Sequence, residues 1–291
     1  MSGRAKADRP VVPVRMPGSS PPTLPSAKQP TTAPRRLGVL VIADEILGGH
    51  VHESNSHWLS QQIKPLGIKF ARVEICSDDL PDIVASVKRF VYDLDLDYVV
   101  TSGGLGPTPD DRTMEGIAKA VGRPLVLLPE REQWMRDRTR IGKERGYFLD
   151  ERPNDGLLKM CWLPEGAEAM PNDLGTALGA IVTVGPKPTT LFTLPGVPKE
   201  FYRMFEQSIR PRLATGRPIH TEELVLFAEE SRFFPLLQRL EKAYPDVVLG
   251  SYPEDGHIRI RATGDEARAK ALIATMRAET TPYHQPQGRF H

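Results

Sequence analysis

The sequence predicts an α/β fold: a doubly wound, mostly parallel sheet in three layers, followed by a small α+β domain. Three observations predict it. From Leu37 onward, apolar β-branched runs alternate with helical segments, the pattern of parallel strands joined by crossover helices. The glycine-rich stretch Gly103-Gly104-Leu105-Gly106 falls between one such strand and one such helix. The chain of 291 residues exceeds the usual single core and gives a prior of one to two domains.

In chain order, residues 37–42 read as an apolar strand, 56–65 as a helix, 70–76 as a second strand, 81–93 as a helix and 97–101 as a third strand. Residues 113–121 have helical spacing with Gly122 as the stop signal. The highly charged stretch 129–150 reads as a helix with a mobile end, and residues 179–184 and 190–194 as apolar strands around the turn Gly185-Pro186-Lys187-Pro188. Pro195-Gly196-Val197-Pro198 then opens a helix over 199–209, since proline suits a first helical turn. From 221 to 279 the order is strand (224–227), helix (233–244), two strands (247–251 and 257–261) and helix (265–277), with a hairpin turn at Glu254-Asp255-Gly256. Arg259 and Arg261 alternate with Ile258 and Ile260 and share one strand face. Without stacking aromatics or a GXXG loop, that face reads as solvated sheet or an interdomain contact rather than an RNA surface.

Composition bounds the function. A net charge of +1 offers no global field for nucleic acid, and no apolar run approaches the roughly 20 residues that span a bilayer. Cys76 and Cys161 sit in apolar runs far apart and are expected to be reduced core residues. Residues 1–36 hold eight prolines, seven Lys or Arg and a single acid, Asp8. Such a segment is expected to be a disordered tail. Its arginines and scarcity of acids also suit a mitochondrial transit peptide, although the prolines oppose the amphipathic helix of one. A cytoplasmic location is expected, with the mitochondrion as the alternative. Residues 37–215 are expected to form the main domain, 221–279 the small one and 280–291 an untidy tail.

The chemistry concentrates in the run from Thr101 to Thr113, TSGGLGPTPDDRT. Glycines at 103, 104 and 106 let the backbone approach a ligand with its amides turned toward anionic oxygens, and the opening of the next helix adds positive potential. Asp110 and Asp111 would repel a phosphate unless a divalent cation bridges them to it. Alternatively the stretch is an ordinary glycine turn with Asp111 as N-cap. Asp44 and Glu45 follow the first strand, the glycine loop follows the third, and both converge on the carboxyl edge of the sheet, where such folds bind ligands.

Thr101 to Thr113, read with the following Ala118-Lys119-Ala120-Val121-Gly122-Arg123-Pro124-Leu125, resembles the signature of the CinA-type branch of the MoaB/Mog, molybdopterin-binding-like superfamily. That branch includes the N-terminal domain of eukaryotic FAD synthase, to which this chain is most similar. Further stretches match in order: Ile42 to His50, Glu53-Ser54-Asn55, Leu163-Pro164-Glu165-Gly166-Ala167, Pro171-Asn172, Gly175-Thr176-Ala177 and Leu194 to Glu200. The similarity continues more weakly through Leu249-Gly250-Ser251-Tyr252-Pro253.

The resemblance implies a hydrolase of a nucleotide diphosphate, FAD or ADP-ribose, acting as a homo-oligomer of two or three chains. Its cofactor would be a divalent metal, Mg²⁺, Co²⁺ or Ni²⁺. Asp110 and Asp111, with Glu45 or Asp44, would hold the metal and activate water. Gly103, Gly104, Leu105, Gly106, Thr108, Asn55 and Gly196 would line the substrate. Lys159 would add a positive contact or be a solvated lysine beside a strand. His50-Val51-His52-Glu53 has the form of a compact metal cluster, but the resemblance makes it a loop entering a helix, with Ser54 or Asn55 as N-cap or ligand contact. Three departures stand out: Ala43 where relatives usually carry glycine, Leu178 where many carry proline, and no stretch matching the synthase or amidohydrolase domains of larger relatives. Neither FAD synthesis nor nicotinamide mononucleotide deamidation is therefore expected. Two alternatives stay open: a molybdopterin-binding protein, whose loop usually reads Gly-Gly-Thr-Gly, and a non-catalytic nucleotide-binding protein.

Overall fold

A computed structural model describes residues 34–285 apart from Pro186, Ala214 and Arg217. The chain enters the sheet on β1 (Arg35–Ile42), two residues earlier than expected. The proposed N-terminal tail otherwise lies outside the described residues. A single helical turn, α1 (Asp44–Leu47), and then α2 (Asn55–Ile63) lead to β2 (Ile68–Cys76), α3 (Leu80–Lys88), β3 (Tyr98–Ser102) and α4 (Thr113–Val121). Gly122 ends α4 in the left-handed conformation, φ 69°, which glycine tolerates without penalty. A ribbon of β4 (Leu125–Leu127) follows, then α5 (Pro129–Glu144), α6 (Asp155–Lys159) and β5 (Trp162–Pro164), which pairs back on β4. The domain closes with β6 (Glu168–Met170), β7 (Gly179–Val184), β8 (Thr189–Leu194) and α7 (Pro198–Met204).

The six strands of the main sheet run β2-β1-β3-β8-β7-β6. The first four are mutually parallel, β7 runs antiparallel to β8, and β6, antiparallel to β7, shares the direction of the first four, so the sheet is mixed and mostly parallel. Side-chain alternation along each strand separates two cores. Val39, Val41, Tyr98, Val100, Phe192 and Leu194 pack with Leu59 and Ile63 of α2 and Phe201 and Met204 of α7. Leu40, Ile42, Val99 and Leu191 pack on the opposite face with Ile83 and Val87 of α3 and Ile117 and Ala120 of α4. Each such side chain, fully buried, stabilises the fold by roughly 1.5–3 kcal/mol before conformational entropy is subtracted. Cys76 and Cys161 are buried and unbridged, and burial pushes the Cys76 thiol up to about 12, so it stays protonated at neutral pH.

The remaining chain folds as β9 (His220–Leu226), α8 (Phe234–Ala243), β10 (Val248–Glu254), β11 (His257–Gly264) and α9 (Glu266–Glu279). Its antiparallel sheet, ordered β10-β11-β9, buries Leu224, Leu226, Ile258 and Ile260 against Leu272 and Met276. Asp255 and Gly256, the latter at φ 77°, make the expected hairpin. The expected tail from Thr280 is corrected over 280–284. Thr280 is buried, a 3₁₀ turn spans Thr281–Tyr283, the Tyr283 ring meets Phe233 edge-on at 5.4 Å, and the Tyr283 carbonyl accepts from the Phe227 amide at 2.8 Å.

A candidate phosphate site at the carboxyl edge of the sheet

Strands β1, β3 and β8 lie side by side and parallel, so the segments leaving their carboxyl ends meet. The Gly103 amide donates to the Leu194 carbonyl at 3.0 Å, and Gly103 takes φ 107° with its α-carbon against Ile42. A Cβ there would stand 2.3 Å from the Ile42 carbonyl oxygen, which is why only glycine fits. Gly104, at φ 64°, accepts from the Thr113 amide at 3.1 Å, and the Thr113 hydroxyl donates to the Gly103 carbonyl at 2.9 Å. These bonds clamp the loop onto the start of α4. Asn55 ties in the third segment: its amide nitrogen donates to Ser102 Oγ at 3.0 Å and to the Gly196 carbonyl at 2.8 Å. Asn55 is 5% exposed, and its Oδ1 has no partner among the described residues.

The amides of Gly104, Leu105 and Gly106 make no hydrogen bond among the described residues, in contrast to Gly103, whose amide is consumed by Leu194. Helix α4 has no side-chain N-cap, because Arg112 stands at the cap position and its guanidinium donates to Glu115 at 3.1 Å. Its opening therefore presents uncapped donors and the positive end of its dipole beside the loop. Leu105 is buried, and the exposed part of the loop is 107–110.

The two aspartates play different parts. Asp111 Oδ2 accepts from the Thr108 amide at 2.9 Å and from the Thr108 hydroxyl, and the Asp111 amide donates to the Thr108 carbonyl at 3.1 Å. Asp111 thus closes the loop on itself, beneath Gly106, where a Cβ would come within 2.6 Å of Oδ2. Asp110 is exposed, and the nearby Thr108 hydroxyl holds its carboxyl below the usual range, helped by the charge of Lys159. Lys159 itself donates to the Asp111 carbonyl at 2.8 Å and to the Thr108 carbonyl. The alternative of a solvated lysine is corrected accordingly: two of its three protons brace the loop, and Lys159 also lines the cavity beside it. Burial draws its pKa down, and Asp111 and Asp110 oppose that shift.

Asp44 and Glu45 are exposed at the end of β1, and the Asp44 amide donates to Asp78 Oδ2 at 2.8 Å. Asp78, at the end of β2, was not singled out in the sequence. Its pKa is raised, first by burial and then by the negative charges of Asp44, Glu45 and Asp110, which places the four carboxylates in one field. No lysine, arginine or histidine forms an ion pair with any of the four among the described residues. No three His, Cys, Asp or Glu side chains among those residues come close enough to enclose a metal ion, so the carboxylates form an open set rather than a cage. At the entry to α2, Glu53 does the capping expected of Ser54 or Asn55, accepting from the Ser56 amide at 2.8 Å and from its hydroxyl. His57 meets Gln61 at 3.1 Å.

Residues 38–215 match the family model described as "Probable molybdopterin binding domain". The chain belongs to that family. Residues 218–267 match a second model, "FAD synthase, middle domain". A protein of Aeropyrum pernix is 34% identical over 253 residues, 82% of this chain and 90% of its own length. A CinA-like protein of Mycobacterium marinum is 34% identical over 221 residues, 72% of this chain but 51% of its own, so the chain spans about half the length of that relative. The crystal structure of the protein CinA, of unknown function, from Thermoplasma acidophilum superposes with a TM-score of 0.53 and 29% identity, covering 62% of this chain and 99% of that one. These likenesses place the chain in the CinA-type branch of the MoaB/Mog superfamily. No helix among the described residues is long and apolar enough to cross a membrane.

Proposed function

We propose that the protein hydrolyses a nucleotide diphosphate of the FAD or ADP-ribose class, releasing AMP, with a divalent cation as cofactor. One observation carries the reading: amides at Gly104, Leu105 and Gly106 that are unbonded among the described residues, beside an uncapped helix, share a sheet edge with four carboxylates that form no ion pair among those residues. Amides of that kind suit an anion, and the carboxylates suit a cation that accompanies it. Magnesium typically takes one or two protein carboxylates and completes its shell with water and phosphate oxygens, so an open set fits it. Asp110 with Asp44 would hold the ion, which when bound neutralises the diphosphate and acidifies a coordinated water.

The other roles belong to the chain. The free loop amides orient the diphosphate, and Gly103, Asn55 and Gly196 keep the loop in register with the neighbouring strands. Asp111, Thr108 and Lys159 hold the loop's shape, so Asp111 acts on the reaction by positioning Asp110 rather than as an open ligand. The attacking water's oxygen bonds to one phosphorus, the bridging oxygen leaves with the other, and Glu45 takes the water's proton. The resemblance also carries a homo-oligomer of two or three chains, which light scattering on the purified protein checks.

The test incubates the protein with FAD and with ADP-ribose, each with Mg²⁺, Co²⁺, Ni²⁺ or EDTA, and resolves the mononucleotide products. Metal-dependent AMP release is the expected result; no release with any metal overturns the hydrolase. A molybdopterin-binding role is the second reading, favoured by the match over residues 38–215, and molybdopterin copurifying with the protein would select it. Nucleotide retained without turnover would select a non-catalytic binding protein.

A further inference from the structure

Beside the glycine loop lies a cavity of about 160 Å³ that Gly104 and Gly106 bound; Leu105, Met114, Leu125, Met160 and Trp162 give it an apolar wall, and the charged Asp111, Arg112, Glu115 and Lys159 line the rest. The ribbon explains why this wall is apolar. In its antiparallel register Leu127 pairs with Trp162 and Leu125 with Pro164, so these residues share one face, while Leu163 turns the other way into the core. Trp162 is 40% exposed. The chain has three tryptophans. Trp58 stacks on Tyr202 at 4.2 Å, and Trp134 lies under the Arg131 guanidinium at 3.7 Å. Trp162 alone has no aromatic or cationic partner among the described residues. An indole left open, flanked by two adaptable methionines and adjoining a set of free amides, is a surface that an aromatic ring would complete.

We infer that this cavity seats the nucleobase of the substrate, stacked on Trp162, while the diphosphate lies on the amides of Gly104 to Gly106; the inference rests on the nucleotide reading of the loop. Size chooses the end of the substrate. A cavity of about 160 Å³, open on one side, takes a two-ring purine edge-on more fully than a three-ring flavin. The protein therefore grips the adenylate half, and the group beyond the second phosphate stays outside. FAD and ADP-ribose then bind with similar affinity, because the half that differs makes no contact.

Calorimetric titration with AMP, FMN, 6-hydroxymethylpterin and inorganic pyrophosphate, on wild type, Trp162→Phe and Trp162→Ala, tests this without turnover. Base–aromatic stacking predicts that Trp162→Ala weakens AMP by about tenfold or more, that Trp162→Phe keeps most of the affinity, and that pyrophosphate binds all three alike. AMP is also expected to quench tryptophan emission in wild type and not in Trp162→Phe. Equal AMP affinity in wild type and Trp162→Ala overturns the inference, as does absence of AMP binding to wild type, or FMN or the pterin binding in its place. Because these readouts are of binding, AMP that quenches Trp162 without any hydrolysis sinks the enzyme reading and leaves the base site standing. AMP release at an unchanged KM in Trp162→Ala does the reverse.

Discussion

The six-stranded and the three-stranded sheets each carry a charged surface, and they treat charge in opposite ways. On the open face of the small sheet every arginine is matched: Arg259 pairs with Glu254 at 2.8 Å and with Glu223 at 3.0 Å, and Arg261 pairs with Glu223 at 2.7 Å and stacks over Tyr252 at 4.8 Å. The Arg259 guanidinium beside Glu254 lowers that carboxyl to about 2. At the carboxyl edge of the main sheet, Asp44, Glu45, Asp78 and Asp110 have no such partners among the described residues, and mutual repulsion adds to burial in raising Asp78. The first surface pairs its charges internally; the second leaves its carboxylates open. Unmatched like charge held beside free amides is the clearer sign of function.

The sharpest way to break this contrast is to close the loop to ligand. Gly103→Ala would put a Cβ 2.3 Å from the Ile42 carbonyl in a backbone conformation unsuited to alanine, and is expected to cost on the order of 3 kcal/mol, read as a lower denaturation midpoint, and to abolish activity. Asp110→Asn is expected to lower AMP release roughly a hundredfold with an unchanged melting temperature, since the side chain is exposed. Wild-type turnover in that variant would remove Asp110 from the cation site. Asp111→Ala differs in kind: it strips Thr108 of its acceptor, so stability should fall by about 1 kcal/mol together with activity.

Acid titration sharpens the comparison further, because the two surfaces respond with opposite sign. Glu254 has a depressed pKa, so its contribution is present above the ordinary 4.5 and is lost as pH falls toward about 2. Asp78 has a raised pKa, so its ionisation opposes folding, and that cost appears as pH rises above the ordinary 3.8. Asp78→Asn keeps an acceptor for the Asp44 amide and should melt slightly higher than wild type at pH 7 in EDTA, with the gain vanishing below about pH 3.8. A gain that persists in acid would contradict the electrostatic account. The smallest effect is expected on the matched face: Glu223→Gln should change stability by no more than ~1 kcal/mol and leave AMP release untouched.

What could be read in advance followed the strength of local signals. Helix α4 and strand β7 appear within the bounds the sequence implied, because an amphipathic repeat with a glycine stop, or an apolar run flanked by turns, is a complete local instruction. The ribbon of β4 and β5, strand β6 and helix α6 had no such signal; at three to five residues each they are too short to show a period and exist through their partners. The order of strands that brings Asp44, Gly103 and Gly196 to one edge was half visible, since the parallel alternation was legible but the antiparallel entry of β7 was not.

By itself, then, the sequence determined the α/β class, the family and the identity of the glycine loop, because each is written in contiguous residues. Only the tertiary structure decided which member of each pair does what. Asp111 closes the loop and Asp110 remains open, Gly103 spends its amide on Leu194 and Gly104 does not, and Lys159 braces two carbonyls of the loop. It also brought in Asp78 and Trp162, which no contiguous motif marks. The reason is physical: identical side chains one position apart have the same chemistry in sequence, and they become different when distant segments supply or withhold their partners.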